Sequence, residues 1–170
     1  MKSHPGGEAH TLRLLELAGL REGDTVLDMG AGDGEAVSFM RSMGIAARGI
    51  DIDPRSMAVE QGDLLKTSFP DESFDAVLSQ CSFFVSNDQS GALREAYRLL
   101  RRGGKLLLSD VFFTGPEEML GDAGFDIIYT EDMTELWRAY FLEALWRDEL
   151  PCCDIPKGES RYIALIGRKD

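Results

Sequence analysis

The 170-residue chain is long enough for one domain and too short for two of ordinary size. Its formal net charge of −12 disfavours contact with the phosphate backbone of nucleic acids, and no basic stripe offsets that charge. No apolar run is long enough to span a bilayer or to form a signal peptide, and three cysteines make no disulfide framework. We therefore expect a cytoplasmic protein that binds neither nucleic acid nor membrane.

Helical and strand-like segments alternate along the chain, which is typical of an α/β domain. The predicted strands are residues 25–29, 46–52, 74–79, 105–110, 125–130 and 161–167. Helical spacing of apolar residues predicts helices within 11–18, 36–43, 93–100, 116–123 and 132–149, the first three being ended by Gly19, Gly44 and the pair Gly103–Gly104. His4 and His10 lie near the terminus, and we expect both to be solvated or mobile.

The most informative segment is VLDMGAGDG, in which Gly30, Gly32 and Gly34 form a loop between a strand and a helix. Glycines let the backbone approach a ligand closely, and the helix N-terminus suits a ligand carboxylate. Asp28, at the strand end, suits an ammonium group. A ligand with both groups is an amino acid, such as the methionine part of S-adenosylmethionine. A dinucleotide is disfavoured because its fingerprint would place Glu35 against the pyrophosphate, and a glycine-rich turn with no ligand is the remaining alternative.

Two further acids follow the next strands. Asp51 in GIDIDP can accept hydrogen bonds from both ribose hydroxyls of a nucleoside, whereas Asp53 precedes Pro54 and is expected to shape the turn. Asp63 in GDL can accept from the exocyclic amine of adenine, although a Gly-Asp pair alone usually forms only a turn. In series with the glycine loop, these acids favour a nucleoside ligand.

The motifs VLDMGAGDG, GIDIDP, GD, FDAVLSQ and LLRRGGKLLLSD, in this order over about residues 8–112, resemble the class I S-adenosylmethionine-dependent methyltransferase family. The resemblance implies one Rossmann-like domain over residues 1–170, with a mostly parallel sheet and an antiparallel strand at the C-terminus. Residues 1–112 would form the cofactor-binding core and 113–170 the substrate side. The implied cofactor-binding residues are Asp28, Gly30, Gly32, Gly34, Asp51, Ile52, Asp63, Leu64, Ser79 and Gln80.

The implied reaction is methyl transfer to a small molecule, with no metal. Holding the nucleophile in line with the methyl group can supply ~7–11 kcal/mol of barrier reduction, so a dedicated catalytic residue is not required. Asp110 and Cys81 follow strands on the ligand side and are the candidates for a catalytic role, Asp110 as a base or merely as a loop cap. Cys81, Cys152 and Cys153 could bind a metalloid for thiol-assisted methylation, the alternative being inert buried cysteine. A methyltransferase-like binding module without catalysis is a further hypothesis.

The chain departs from the family between the second and third strands. The segment from Asp51 to Asp63 is too short for the usual parallel crossover, so it predicts no helix longer than one turn. One sheet face would then lack cover near its edge, which favours a homodimer over cover by the N-terminal segment. In the predicted helix at 132–149, an aromatic stripe with Trp137 and Phe141 would roof the substrate pocket, meet a partner chain, or pack in the core.

Overall fold

The computed structural model describes residues 4–149 and 158–170 as a seven-stranded sheet covered by helices. The helices and strands are, in chain order, α1 Gly7–Leu17, β1 Thr25–Met29, α2 Glu35–Ser42, β2 Ala46–Asp51, β3 Glu60–Gln61, β4 Phe74–Gln80, α3 Gln89–Leu99, β5 Leu100–Phe112, α4 Glu117–Asp122, β6 Phe125–Asp132, α5 Thr134–Trp146 and β7 Arg161–Lys169. The strand order is β3-β2-β1-β4-β5-β7-β6. Strands β1 to β5 pair in parallel, whereas β7 is antiparallel to β5 and β6, which confirms the predicted single Rossmann-like α/β domain.

Two apolar layers hold the helices on the sheet. On one face, Leu14 and Leu15 of α1 and Met40 of α2 are almost completely buried with Val26 and Leu78 of the sheet. On the other face, α3 and α4 pack against the opposite side chains of β1, β4, β5 and β7. The central strands are buried on both faces, as their nearly continuous apolar sequences predict.

The topology brings the carboxyl ends of three strands together. Asp28 of β1 pairs in register with Gly49 of β2 and with Leu78 of β4, so all three strands end at one edge of the sheet. From β1 the chain runs outward to β2 and β3, and the connection after β3 then crosses to β4 on the other side of β1. Ligands of open α/β sheets bind at such a reversal, outside the carboxyl ends of the strands.

The helix predicted over residues 93–100 ends earlier than its glycine signal. Gly103 and Gly104 do not end α3, because Leu100 is already extended, with ψ 138°, and pairs with Phe74 of β4. The register then shifts between Phe74 and Ala76. Residues 101–104, which have no matching number of partners in β4, therefore form an irregular start of β5, with Gly103 at φ 74°. Long-range strand pairing has overridden the local stop signal.

The shortened crossover between β2 and β3 is confirmed, because residues 52–59 form turns and bends with no helix. Strand β3 has 2 residues, which pair with Ile50 and Asp51. Within the same chain, Val37 of α2 and Ala31 lie 2.6 and 2.7 Å from where a Cβ of Gly49 would be. The face of β2 is thus covered without a second copy, and the homodimer remains a prediction without that support.

Helix α5 has apolar side chains on a buried side and on an exposed side. Trp137, Tyr140 and Ala144 are buried, and the Trp137 ring stacks on Tyr162 at 5.8 Å between centroids. The other side exposes large apolar side chains, at Leu136, Leu142, Leu145 and Trp146. Core packing, the alternative to a roof over the substrate, therefore holds for Trp137. Among the described residues, no helix is long and apolar enough to cross a membrane.

Candidate functional site

A cavity of about 430 Å³ lies at the carboxyl ends of β1, β2 and β4. Its volume falls within the ~300–1,000 Å³ typical of small-molecule sites. Eight of the ten predicted cofactor-binding residues are in its wall, namely Asp28, Gly30, Gly32, Asp51, Ile52, Asp63, Leu64 and Gln80. These residues come from distant parts of the chain, so the fold assembles them as the motif series predicted.

The loop after β1 needs glycine at the two positions that line the cavity. Gly30 has φ +87° and Gly32 has φ +51°, backbone conformations that L side chains rarely adopt. A Cβ at Gly30 would overlap the Ser82 side chain, and one at Gly32 would lie 2.8 Å from Nη2 of Arg55. Both glycines therefore permit a close approach of other groups to the loop.

The amide groups of this loop are already engaged within the protein. Gly30 N and Ala31 N both donate to the Ile50 carbonyl oxygen at 2.9 Å. Gly32 N donates to Oδ2 of Asp51 at 2.8 Å, and Glu35 N donates to Oδ1 of Asp33 at 3.1 Å. The sequence suggested that amides here would meet a ligand carboxylate. The structure instead uses these donors to fix the loop against β2 and to cap α2.

Asp28 is a buried acid at the end of β1, with 4% of its surface exposed. Burial, followed by the charges of Asp51 and Asp33, raises the pKa of this carboxyl to about 7. No hydrogen-bond donor among the described residues compensates the charge. A cationic ligand group in the cavity would therefore favour ionised Asp28.

Asp51 links the end of β2 to the glycine loop. Besides accepting from Gly32, this half-buried carboxylate accepts from the Asp53 amide through Oδ1 at 2.9 Å. A carboxylate oxygen has two lone pairs, so both oxygens retain capacity for hydroxyl donors in the cavity. The choice of Asp51 over Asp53 agrees with the cavity wall, which includes only the former.

Another part of the cavity wall combines apolar side chains with one acid. Leu64 and Leu65 pack against the core while also lining the cavity, and the Ile52 side chain is 69% exposed beside them. Asp63 is exposed and accepts from the Leu65 amide at 2.8 Å. An apolar slot with one acceptor at its edge suits a flat heteroaromatic base that carries an amino group.

Three predicted residues lie outside the cavity wall. Gly34 is the buried N-cap of α2, and Ser79 donates from Oγ to the Met29 carbonyl oxygen at 2.8 Å. Asp110 is fully buried and accepts from the Phe84 and Val111 amides at 3.0 and 2.8 Å. It holds the loop after β4, as the loop-cap alternative predicted, and it does not reach the cavity that a base would need to reach.

Cys81, the other catalytic candidate, does line the cavity. It has φ +60°, its side chain is buried, and its Sγ lies 3.2 Å from the Tyr162 hydroxyl. Cys152 and Cys153 lie outside the described residues, so the three-sulfur pocket stays a hypothesis. No cluster of three or more metal-ligating side chains occurs in the part of the chain that the structure describes.

Both histidines were expected to be solvated, and both are buried. The Thr11 hydroxyl oxygen of α1 lies 3.3 Å from Nε2 of His4, and the same hydroxyl donates to Oε1 of Gln80 at 3.2 Å. His4 lines the cavity. His10 Nε2 lies 2.8 Å from Ser109 Oγ, and burial lowers the pKa of His10 to about 4. His10 shares the apolar face of Leu14, four residues later, so the helical spacing could have indicated its burial.

Arg55 is a cavity residue that sequence reasoning missed. It lies in the shortened crossover, its amide donates to the Gly32 carbonyl oxygen at 3.0 Å, and its guanidinium reaches over Gly32. No short motif marks such a residue, because its position depends on how the crossover folds back.

Comparison with known proteins agrees with this architecture. A family profile described as "Methyltransferase domain" matches residues 27–108. The demethylmenaquinone methyltransferase of Tropheryma whipplei is 37% identical over 120 residues, a match that covers 61% of this chain and 48% of that protein. Residues 27–108 are therefore similar to the methyltransferase domain, and the chain spans about half the length of this curated relative.

Solved structures show the same fold at lower identity. Phosphoethanolamine N-methyltransferase 2 of Haemonchus contortus, solved with phosphomonomethylethanolamine and S-adenosylhomocysteine, has a TM-score of 0.76 at 20% identity, covering 98% of this chain and 54% of that one. The [4+2]-cyclase SpnF has a TM-score of 0.77 at 22% identity, covering 95% and 80%. Because a cyclase shares the fold, the fold alone does not establish methyl transfer for this chain.

Proposed function

We propose that this protein transfers the methyl group of S-adenosylmethionine to a small-molecule acceptor bound beside the same cavity. The observation that carries the proposal is the meeting of Asp28, the glycine loop, Asp51 and Asp63 in one wall. Each offers what a different part of that cofactor requires. Residues 1–112 would serve the cofactor, and 113–170 would contribute to the acceptor side.

The residues present fit this cofactor. Gly30 and Gly32 add no side chains to the cavity wall, and the Ser82 and Arg55 side chains lie where their Cβ atoms would be. Asp28 would face the ammonium, Asp51 the ribose hydroxyls, and Asp63 with Ile52 and Leu64 the adenine. When bound, the cofactor would supply an electrophilic methyl group on its sulfonium sulfur, and the neutral thioether S-adenosylhomocysteine would be the leaving group.

The contribution of the chain to the reaction would be positioning. In-line placement of an acceptor can supply ~7–11 kcal/mol of barrier reduction without a general base. The cavity wall also includes Gln80 at the end of β4, Cys81 directly after it, and His4 of the N-terminal segment. These side chains would contact an acceptor and exclude water. Asp110 would act indirectly, by holding the loop at Phe84.

The principal alternative is a binding module that retains the fold without catalysis. The shortened crossover favours it slightly, whereas the acids and glycines of the cofactor wall favour an enzyme. A screen with methyl-labelled S-adenosylmethionine over quinols, phenols, amines, thiols and arsenite tests the proposal, with Asp51→Ala as the control. We expect label transfer to at least one acceptor class that Asp51→Ala loses. Cofactor binding without turnover over the full screen would favour the module.

The same screen tests thiol-assisted methylation of a metalloid. If arsenite is the acceptor, Cys81→Ser should abolish its methylation, because a soft metalloid needs thiolate ligands. Methylation that Cys81→Ser leaves unchanged would exclude a role for this thiol.

A further inference from the structure

The shortened crossover places an arginine in a cavity whose other charged side chains are acidic. Asp28, Asp33, Asp51 and Asp63 all lie in the wall, and Arg55 is the guanidinium among the described lining residues. In the described part of the chain, no carboxylate is within salt-bridge distance of Arg55. Seven other arginines each form an ion pair, namely Arg13, Arg48, Arg98, Arg101, Arg138, Arg147 and Arg168. The remaining five, Arg21, Arg41, Arg94, Arg102 and Arg161, lie outside the cavity wall.

The crossover holds Arg55 against the glycine loop. Its amide donates to the Gly32 carbonyl oxygen at 3.0 Å, and Val59, four residues later, is buried beside Gly34. The side chain then passes over Gly32, so that Nη2 lies 2.8 Å from where a Cβ would be.

Four amides of the loop and of the first turn of α2 are not free to bind a ligand carboxylate. The amides of Gly30, Ala31, Gly32 and Glu35 already donate inside the protein. The Asp33 carboxylate caps α2 at the point where an anion would otherwise approach. A carboxylate bound here would meet like charges, unless a cation opposed them.

From these contacts we infer that Arg55 binds the carboxylate of the amino-acid part of the cofactor, an inference that rests on the proposed function. Guanidinium and carboxylate groups form charge-assisted, often bidentate hydrogen bonds. Asp28 would take the ammonium on the other side of the loop. The crossover thus replaces the loop amides as the carboxylate-binding element in this chain.

The test compares two ligands that differ only in the amino-acid part. S-adenosylhomocysteine carries the carboxylate, whereas 5′-methylthioadenosine retains the adenosine and the sulfur without it. Calorimetric titrations are run on the wild type, Arg55→Met, Arg55→Lys and the control Arg94→Met, which replaces an exposed arginine outside the cavity. We expect Arg55→Met to weaken S-adenosylhomocysteine binding ~10–100-fold, the range for a lost charged hydrogen bond, and Arg55→Lys to weaken it less. Methylthioadenosine affinity should stay within about twofold in every variant, since that ligand lacks the carboxylate.

Four results would overturn the inference. Equal weakening of both ligands by Arg55→Met, or a lowered melting temperature without ligand, would show that Arg55 only shapes the loop. Unchanged S-adenosylhomocysteine binding would refute the carboxylate contact while leaving the proposed function intact. If the wild type binds neither ligand, the proposed function fails and the inference fails with it.

Discussion

The raised pKa of Asp28 predicts that ligand binding depends on pH near neutrality. With a pKa of about 7, this carboxyl is roughly one-tenth ionised at pH 6 and nine-tenths ionised at pH 8. If the ligand ammonium requires ionised Asp28, S-adenosylhomocysteine should bind ~10-fold more tightly at pH 8 than at pH 6, or about 1.4 kcal/mol. His10, with a pKa of about 4, stays neutral over this range and does not contribute.

Calorimetry at pH 6, 7 and 8 measures the effect. Asp28→Asn should remove the dependence on pH and weaken binding at pH 8 by ~1.5–3 kcal/mol, because it removes the charged acceptor. Asp33→Asn should move the transition to lower pH, since the charge of Asp33 helps to raise the pKa of Asp28. Methylthioadenosine, which has no ammonium, should bind equally at all three values. If S-adenosylhomocysteine binding to Asp28→Asn still depended on pH, the contact between Asp28 and the ligand ammonium would be refuted.

The same shift predicts an effect on stability of the opposite sign. The folded-state pKa of Asp28 lies above its ordinary value of 3.8, so the stability that the protonated carboxyl contributes is lost as the pH rises from about 4 to about 7. The difference between these two pKa values corresponds to a loss of at most roughly 4 kcal/mol of folding stability, at 1.36 kcal/mol per pKa unit. Without ligand, Asp28→Asn should therefore unfold at higher denaturant than the wild type at pH 8 and at an equal concentration near pH 4. A variant less stable than the wild type at pH 8 would contradict this reasoning.

Two further predictions concern Asp51 and assembly. Asp51→Ala should weaken S-adenosylhomocysteine binding by ~1–3 kcal/mol, because it removes both the ribose acceptor and the partner of the Gly32 amide, whereas Asp53→Ala should change binding little; unchanged affinity in Asp51→Ala would exclude the ribose role. A homodimer predicts twice the mass of one chain in light scattering at high concentration, and the exposed Leu142, Leu145 and Trp146 offer it an apolar surface; a monomer under those conditions would refute it.

Local signals were enough for six of the seven strands and for much of the cavity wall. Alternating glycines after an apolar strand, and acids directly after two further strands, depend on backbone chemistry that short segments display. The missing crossover helix followed from chain length alone, because residues 52–59 cannot coil and still return to the strand start. These features are local, or are limited by how far a short chain can reach.

Other features depended on long-range packing. The end of α3 was set by the pairing of Leu100 with Phe74, which competes with the glycine signal at Gly103. His4 reached the cavity because α1 docks on the sheet, and Arg55 reached Gly32 because the crossover folds back over the loop. Neither position could be predicted from spacing, since each depends on contacts between segments that are distant in sequence.

A calorimetric titration of the wild-type chain with S-adenosylhomocysteine at pH 8 tests most directly whether this cavity binds the cofactor. The cavity at the ends of β1, β2 and β4 predicts one ligand per chain, and the acids that line it predict strong weakening in Asp51→Ala. Absence of binding to the folded wild-type chain, or binding that Asp28→Asn and Asp51→Ala leave unchanged, would contradict the assignment of this cavity to the cofactor.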